Sequence, residues 1–108
     1  MYAQVTFLHV PVEQMPILRD VVEARYLSVV RQRPGFKAGY LLEQLDDPGR
    51  AELVLFWENQ AAVESFHRTG MLQASLYALT AEMPDLTVHR EGYAVRLAVR
   101  APELAAVG

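Results

Sequence analysis

The sequence predicts an α+β fold in which an antiparallel sheet carries helices on one face. Stretches rich in β-branched and aromatic residues alternate with stretches of helical periodicity, and proline and glycine separate them. The chain has 108 residues and no cysteine. This length suits a single domain that builds its core without disulfides. The lack of cysteine also excludes thiolate metal sites and cysteine nucleophiles.

The first half of the chain alternates strand, helix and strand. Residues 2–10, YAQVTFLHV, predict a strand, which ends at Pro11 because proline cannot donate a hydrogen bond to a sheet ladder. Apolar residues recur at helical spacing over residues 12–33. Pro34-Gly35 ends that helix, since the residue before a proline is pushed away from helical geometry. Residues 36–44 predict the second strand.

The second half continues with a strand, two helices and a final strand, predicted over residues 51–57, 60–68, 71–83 and 86–99. The turn Asp46-Asp47-Pro48-Gly49 joins the second and third strands into a hairpin. Asn59 is the predicted N-cap of the first of these helices, and Gly70 is its predicted C-cap. A break is expected in the last strand near Glu91-Gly92. This order of elements matches the ferredoxin-like split-βαβ fold, over residues 1–100, and a short tail follows over residues 101–108.

Charge and hydropathy exclude two classes of partner. The formal net charge is −3 and Lys37 is the single lysine, whereas a nucleic-acid-binding protein clusters many cations on one face. The first ten residues lack a basic region and are too short for a signal peptide or a membrane span. We therefore predict no nucleic-acid or membrane partner, and a cytoplasmic protein.

One face of the predicted sheet lacks a cover. Residues 53–57, Leu-Val-Leu-Phe-Trp, are apolar throughout, whereas a strand with one solvated face alternates. Because helices cover only one face, a second copy is the simplest partner for the other, and we predict a homodimer through the sheet face. A standard interface of about 1,600 Å² gains roughly 25 kcal/mol of apolar burial, against an association cost of about 4–15 kcal/mol. The alternative is a monomer covered by its own tail, which is short and small-sided.

Three segments of the chain carry a resemblance to a known family: Pro34-Gly35-Phe36, Phe56-Trp57-Glu58-Asn59 and the alanine-rich residues 61–66. With them the chain resembles the antibiotic biosynthesis monooxygenase domain family of the dimeric α/β-barrel superfamily, and the resemblance extends over residues 2–99. It implies a barrel built across a dimer, with a small pocket between sheet and helices in each subunit. Some members oxygenate phenols or quinols without metal or flavin, others degrade haem, and the fold alone does not decide between these activities.

Haem-degrading members use an asparagine in the first strand and a tryptophan and a histidine on later helices. The matching positions here hold Thr6, Phe66 and Leu76. The resemblance therefore does not imply haem degradation by that set of residues.

Members that oxygenate phenols without a cofactor use a tryptophan that matches Trp57. Their asparagine, tyrosine, arginine and histidine match Leu53, Val63, Tyr77 and Leu42. Only Trp57 is shared, so the resemblance implies a related pocket with a different polar set.

The resemblance places six residues around a substrate pocket: Trp57, Tyr40, Tyr77, Thr6, Leu53 and Leu42. Three of them would supply aromatic walls with polar tips, which suits a planar apolar ligand. The alternative is that the aromatic residues are ordinary core residues.

Cofactor-free oxygenation requires a base near neutral pKa, and histidine is the natural choice. His67, beside Phe66, and His89, at the start of the last strand, are the catalytic candidates, whereas His9 has the position of a capping or exposed residue. The spacing of the histidines matches no metal-ligand motif, so we predict neither metal nor cofactor.

Three interpretations remain open on the sequence. The first is a cofactor-independent monooxygenase acting on a small aromatic or quinol-type molecule. The second is a non-catalytic dimeric module that binds a small apolar metabolite, and the third is a structural dimer whose pocket is collapsed. Several polar groups converging near a perturbed histidine would favour the enzyme, whereas an apolar pocket would favour the binding module.

Overall fold

The computed structural model describes residues 1–102 of the chain, apart from the side chain of Leu72. The strands are β1 (Tyr2–His9), β2 (Phe36–Glu43), β3 (Arg50–Trp57) and β4 (Thr87–Ala94). A long first helix, residues 12–30, runs through a 3₁₀ turn (Val12–Gln14), α1 (Met15–Val21), a π-helical segment (Val22–Leu27) and α2 (Ser28–Val30). Two further helices are α3 (Gln60–Arg68) and α4 (Met71–Glu82).

The four strands form one antiparallel sheet in the order β2-β3-β1-β4. This order and the position of the helices confirm the predicted α+β ferredoxin-like fold. β1 lies between β3 and β4, and Thr6 is opposite both Leu53 and Arg90. Directly opposed residues share a face of the sheet, so the register defines an inner face toward the helices and an outer face away from them.

The core lies between the inner face and the helices. β3 contributes Leu53, Leu55 and Trp57, each at most 2% exposed. Helix residues such as Leu18 and Phe66 are fully buried against them. Burial alternates along β3, because its inner residues are buried and its intervening residues lie on the outer face.

The boundaries of most elements agree with the sequence prediction to within one or two residues. Asn59 is the N-cap of α3, and its Oδ1 accepts a hydrogen bond from the Ala62 backbone N–H at 2.9 Å. Gly70, with φ of 75°, separates α3 from α4. The first helix ends at Val30 rather than at residue 33.

The last strand was predicted with the wrong length. β4 passes through Glu91 and Gly92 without a break and ends at Ala94. It ends there because β1, its pairing partner, begins at Tyr2, which is opposite Ala94. Most of the predicted tail, residues 103–108, lies outside the described residues, and the division at residue 100 stays a prediction.

No helix within residues 1–102 is long and apolar enough to cross a membrane. The cytoplasmic location and the absence of a nucleic-acid partner stay predictions.

Gly35 fixes the turn between the first helix and β2. Its φ is 84°, and its carbonyl accepts a hydrogen bond from the Glu58 N–H at 2.7 Å. A Cβ at this position would lie 2.6 Å from Cβ of Ala62 on α3. Gly70 has a similar φ of 75° but nothing within 4 Å of an added Cβ.

We expect Gly70→Ala to lower the free energy of unfolding by about 1 kcal/mol, the cost of left-handed backbone. Gly35→Ala should cost about 1–3 kcal/mol more, because the added methyl also overlaps α3. Urea denaturation of both variants measures the difference. Equal losses would show that the contact between Gly35 and Ala62 adds nothing.

Candidate functional site

Within residues 1–102, six buried side-chain atoms have no hydrogen-bond partner. One is Arg33 Nε, in the turn before β2, and the other five belong to residues on the helix-facing side of the sheet and on the first helix. We call their residues the interior polar set: Gln4, Thr6, Tyr26, Trp57 and Arg90. The atoms are Gln4 Oε1, Thr6 Oγ1, the Tyr26 hydroxyl, Trp57 Nε1 and one terminal nitrogen of Arg90. A buried polar group without a partner costs about 1–3 kcal/mol, and native proteins contain few of them. Several such atoms along the inner face therefore mark this face as a place for a ligand or for bound water.

Strand register brings the sheet members of this set together. Gln4 and Thr6 are two residues apart on β1, so their side chains share the inner face. Arg90 lies directly opposite Thr6 on β4, at a spacing that places opposed Cβ atoms about 5 Å apart. On the other side of β1, Trp57 is opposite Tyr2 at the end of the ladder.

Gly92 leaves space on the inner face of β4 for the side chain of Tyr2. Gly92 is opposite Gln4 on β4, and a Cβ added there would overlap the Tyr2 hydroxyl and ring. The Tyr2 side chain therefore lies across Gly92 on the inner face.

Tyr26 enters the site from the first helix. It belongs to the π-helical segment and is 1% exposed. A π-helical turn holds an extra residue and is often found at functional sites. Burial raises the pKa of Tyr26 to about 12, and the positive charge of Arg90 opposes this rise. Tyr26 is therefore a protonated hydrogen-bond donor at neutral pH, and Arg90 is near enough to influence it.

His67, on α3, is solvent-exposed, and because the charge of Arg90 acts on it we place it at the rim of the interior polar set. Its side chain keeps contact with solvent, yet desolvation lowers its pKa below the ordinary value of 6.5, and the charge of Arg90 lowers it further. The nearby carboxylate of Glu64 acts in the opposite direction. His67 is therefore neutral at pH 7 and able to accept a proton.

Aromatic packing fixes the position of Trp57. Its ring meets Phe36 edge-on with centroids 5.5 Å apart, and Phe66 at a tilt of 32° with centroids 5.8 Å apart. The guanidinium of Arg33 lies 5.8 Å from the Phe66 ring on α3. This packing holds the indole within the core while Nε1 has no partner.

A cleft between α4 and β4 leads from the surface to Arg90. Its volume is about 350 Å³, and its lining residues are Gln73, Leu76, Tyr77, Thr80, Val88, His89 and Arg90. This volume is at the small end of the range of ligand pockets, about 300–1,000 Å³. The cleft is the mouth of the candidate site.

Four of the predicted substrate-binding residues lie on this side of the sheet. Thr6 and Trp57 belong to the interior polar set, and Leu53 packs beside Thr6 in the core. Tyr77 lines the mouth and is 66% exposed. The role of each in binding stays a prediction.

Tyr40 and Leu42 do not face the pocket with Trp57, which corrects the predicted arrangement. They are opposite Val54 and Glu52 on the outer face, and 55% and 50% exposed. The cause is a β-bulge in β2: Phe36 is opposite Trp57, but Ala38 is opposite Phe56. One extra residue exchanges the two faces of every residue that follows.

The two catalytic candidates, His67 and His89, lie on different sides of the sheet. His89 is opposite Phe7, and their rings stack on the outer face with centroids 6.0 Å apart. Its Nε2 lies 3.2 Å from Glu91 Oε1. His89 borders the mouth, but its ring is directed away from the interior polar set. Of the two candidates, His67 is therefore the one that lies on the same side of the sheet as this set.

Sequence reasoning missed Gln4 and Arg90. The signal for Gln4 was its position two residues before Thr6, which places both on one face of β1. Arg90 could be found only through the β1–β4 register. Within residues 1–102, no group of three or more histidine and acidic side chains is arranged to hold a metal ion.

The sequence model of the antibiotic biosynthesis monooxygenase family matches residues 1–76. No curated protein matches the chain.

Three solved structures share the fold at low sequence identity. A candidate antibiotic biosynthesis monooxygenase of Deinococcus radiodurans has a TM-score of 0.77 and 18% identity, covering 95% of this chain and 100% of its own. SnoaB, a cofactor-independent oxygenase of Streptomyces nogalater, has a TM-score of 0.73 and 20% identity, covering 94% and 97%. The haem degrader MhuD of Mycobacterium tuberculosis, with two haems in its active site, has a TM-score of 0.69 and 22% identity, covering 93% and 100%.

The raised pKa of Tyr26 gives a direct test of the described site. Its folded-state pKa is about 12 and the ordinary value is 10.0, so its contribution to stability is complete below pH 10 and is lost as the pH rises toward 12. Ultraviolet absorbance should show one tyrosine ionising near pH 12, coupled to alkaline unfolding. The step should disappear in Tyr26→Phe and persist in Tyr77→Phe. A step near pH 12 that persists in Tyr26→Phe, or its absence from the natural chain, would contradict a buried Tyr26.

Proposed function

Because the chain belongs to the antibiotic biosynthesis monooxygenase family, we propose that it is a cofactor-independent monooxygenase acting on a small aromatic or quinol-type molecule. The substrate would lie between the inner face and the helices. The observation that carries this proposal is the interior polar set beside His67, whose pKa is lowered. A non-catalytic apolar binding site has no need of five unpartnered polar atoms in its interior.

The first step is removal of a proton from a phenolic hydroxyl. Neutral His67 accepts this proton, and the electron-rich phenolate stays in a site that excludes water. The charge of Arg90 and the hydroxyl of Tyr26 stabilise the negative charge. The substrate can then reduce dioxygen itself.

Oxidation at an activated CH₂ carbon balances without an external reductant. Two C–H bonds break, and one oxygen atom of O₂ forms a new C=O bond with the carbon. The other oxygen atom takes the two hydrogens and leaves as water. All four electrons that reduce O₂ come from the substrate, so the residues of the site only bind, orient and move protons.

The interior polar set does not fit haem. Haem iron is held by histidine, cysteine, methionine or tyrosinate. The interior polar set offers amide, hydroxyl, indole and guanidinium groups, and Tyr26 remains protonated because its pKa is about 12. His67 lies at the rim, so we derive no step through haem.

The outer face supports a proposed homodimer. Tyr40, Leu42 and Tyr93 are between 44% and 55% exposed there, and Val54 and Phe56 are half-buried between them. A concavity of about 980 Å³ lies at one end of the sheet, beside Phe7, Leu42 and His89. Members of this family are typically dimeric, and a second copy seated on this face would remove these apolar side chains from water.

Oxygen consumption tests the proposed activity. Metal-free protein given phenols that carry an activated CH₂ group, together with reduced quinols and polyhydroxylated aromatics, should consume O₂ above the buffer rate in the presence of a chelator. Trp57→Phe should lower the rate, because it removes a polar atom from the site, and His67→Gln should lower kcat by about 100-fold or more. The rate should fall with increasing acidity at a pH below 6.5, since the pKa of His67 is lowered.

His9→Gln is the matched control, because His9 lies at the exposed end of β1. It should leave the rate unchanged. Absence of uptake across the panel, with binding of the same compounds, would replace the oxygenase by the binding module.

The dimer is tested by a charge on the outer face. Val54 is opposite Val5 and Tyr40, so Val54→Asp would place a carboxylate at the centre of the proposed interface. We expect a dimer for the natural chain and a monomer for Val54→Asp in sedimentation equilibrium. Leu45→Asp is the control, since Leu45 is 95% exposed in the β2–β3 turn. A monomer at all concentrations would exclude the proposed dimer.

A further inference from the structure

We propose that the site selects aromatic ligands that carry one anionic acceptor group, a carboxylate or an ionised acidic phenol, and that Arg90 recognises its charge. The inference deepens the proposed function by naming a substrate class. It concerns binding, so it can be tested without turnover.

Among the residues that the structure describes, the half-buried guanidinium of Arg90 has no counter-ion. One of its terminal nitrogens is buried and has no hydrogen-bond partner. The ion pairs within residues 1–102 join Arg19 to Glu43, Arg25 to Glu82, Arg50 to Asp47 and His89 to Glu91, all at the surface. Buried charges in proteins are normally paired. An unpaired guanidinium facing a cleft is therefore suited to an anion supplied from outside.

The other members of the interior polar set favour the same ligand. Trp57 Nε1 can only donate a hydrogen bond, and the hydroxyls of Tyr26 and Thr6 can both donate. Gln4 Oε1 is the one atom among the five that only accepts. The set contains no carboxylate. A ligand rich in acceptors satisfies these donors, whereas a hydrocarbon would leave each donor unpaired at a cost of about 1–3 kcal/mol.

A cationic ligand is disfavoured by the same arrangement. Arg90 is close enough to His67 and Tyr26 for its charge to influence both groups. A ligand cation near Arg90 would add like-charge repulsion in a region of low dielectric. The charge of Arg90 therefore disfavours cationic ligands and favours anionic ones.

The position of Arg90 also defines how the ligand would lie. Arg90 lines the mouth together with Leu76 and Tyr77, and its β1 neighbour Thr6 leads inward toward Leu53. The anionic group would bind at Arg90 and the aromatic ring would extend past Leu76. A mouth of about 350 Å³ suits a ligand of one or two rings.

Two probes of similar size, one anionic and one neutral, distinguish recognition of charge from recognition of shape. The backbone amide signals of Leu76 and Arg90, which line the mouth, report on the site in the nitrogen-resolved NMR spectrum. We would titrate the protein with 2-naphthoate and with its neutral amide, 2-naphthamide. We expect the acid to shift these signals and to bind at least about tenfold more tightly than the amide, equivalent to about 1.4 kcal/mol.

Variants of Arg90 test whether this residue causes the tighter binding of the acid. Arg90→Met should abolish the preference, and Arg90→Lys should keep part of it, because a lysine retains the charge without the planar fork. Arg50→Met is the matched control: Arg50 is also on the sheet but is exposed and paired with Asp47, so the preference should remain. Circular dichroism identifies a variant that fails to fold, and the lysine variant then decides.

Equal affinity for acid and amide, an unchanged preference in Arg90→Met, or no binding of either probe would overturn the inference. These outcomes are distinct from failure of the proposed activity. A preference for the acid without oxygen uptake would exclude the oxygenase and keep the anion site. Oxygen uptake without such a preference would keep the oxygenase and exclude the anion site.

Discussion

The antiparallel register of β1 with its two neighbours is the constraint on which the rest of the structure depends. β1 is opposite β3 along one edge and β4 along the other, so its alternation decides which side chains face the helices. With Thr6 between Leu53 and Arg90, the inner face places an apolar core residue on one side of β1 and a cation on the other. A slip of one residue would exchange both faces, remove Arg90 from the interior and expose the apolar core.

The unpaired polar groups around Arg90 lower the stability of the folded chain. An unpaired guanidinium and several unpaired donors destabilise the folded chain, and extensive burial elsewhere must offset that cost. The tight packing of Trp57 between Phe36 and Phe66 and the fully buried residues of the first helix provide this burial. A site that is destabilising when empty and satisfied when occupied is expected of a binding pocket, because the ligand supplies the missing partners.

The sequence predicted the fold well because its signals are local. Proline and glycine fixed the ends of the elements, and Asn59 caps α3 as its residue type predicts. The site was harder to predict because it depends on pairing between distant strands. Trp57 and Thr6 were found through the family resemblance, whereas Arg90 required the β1–β4 register. Tyr40 was placed on the wrong face because the bulge after Phe36 follows no simple sequence rule.

The same bulge links the pocket to the outer face. Without the extra residue, Tyr40 and Leu42 would face the helices beside Trp57. With it, they lie on the outer face, and Gly39 and Leu41 are opposite the core residues Leu55 and Leu53. The small residue Gly39 suits the inner position, because an added Cβ would lie 2.9 Å from the Leu55 side chain. One local irregularity thus gives apolar surface to the face proposed for assembly and leaves the polar chemistry of the inner face to β1, β4 and the helices.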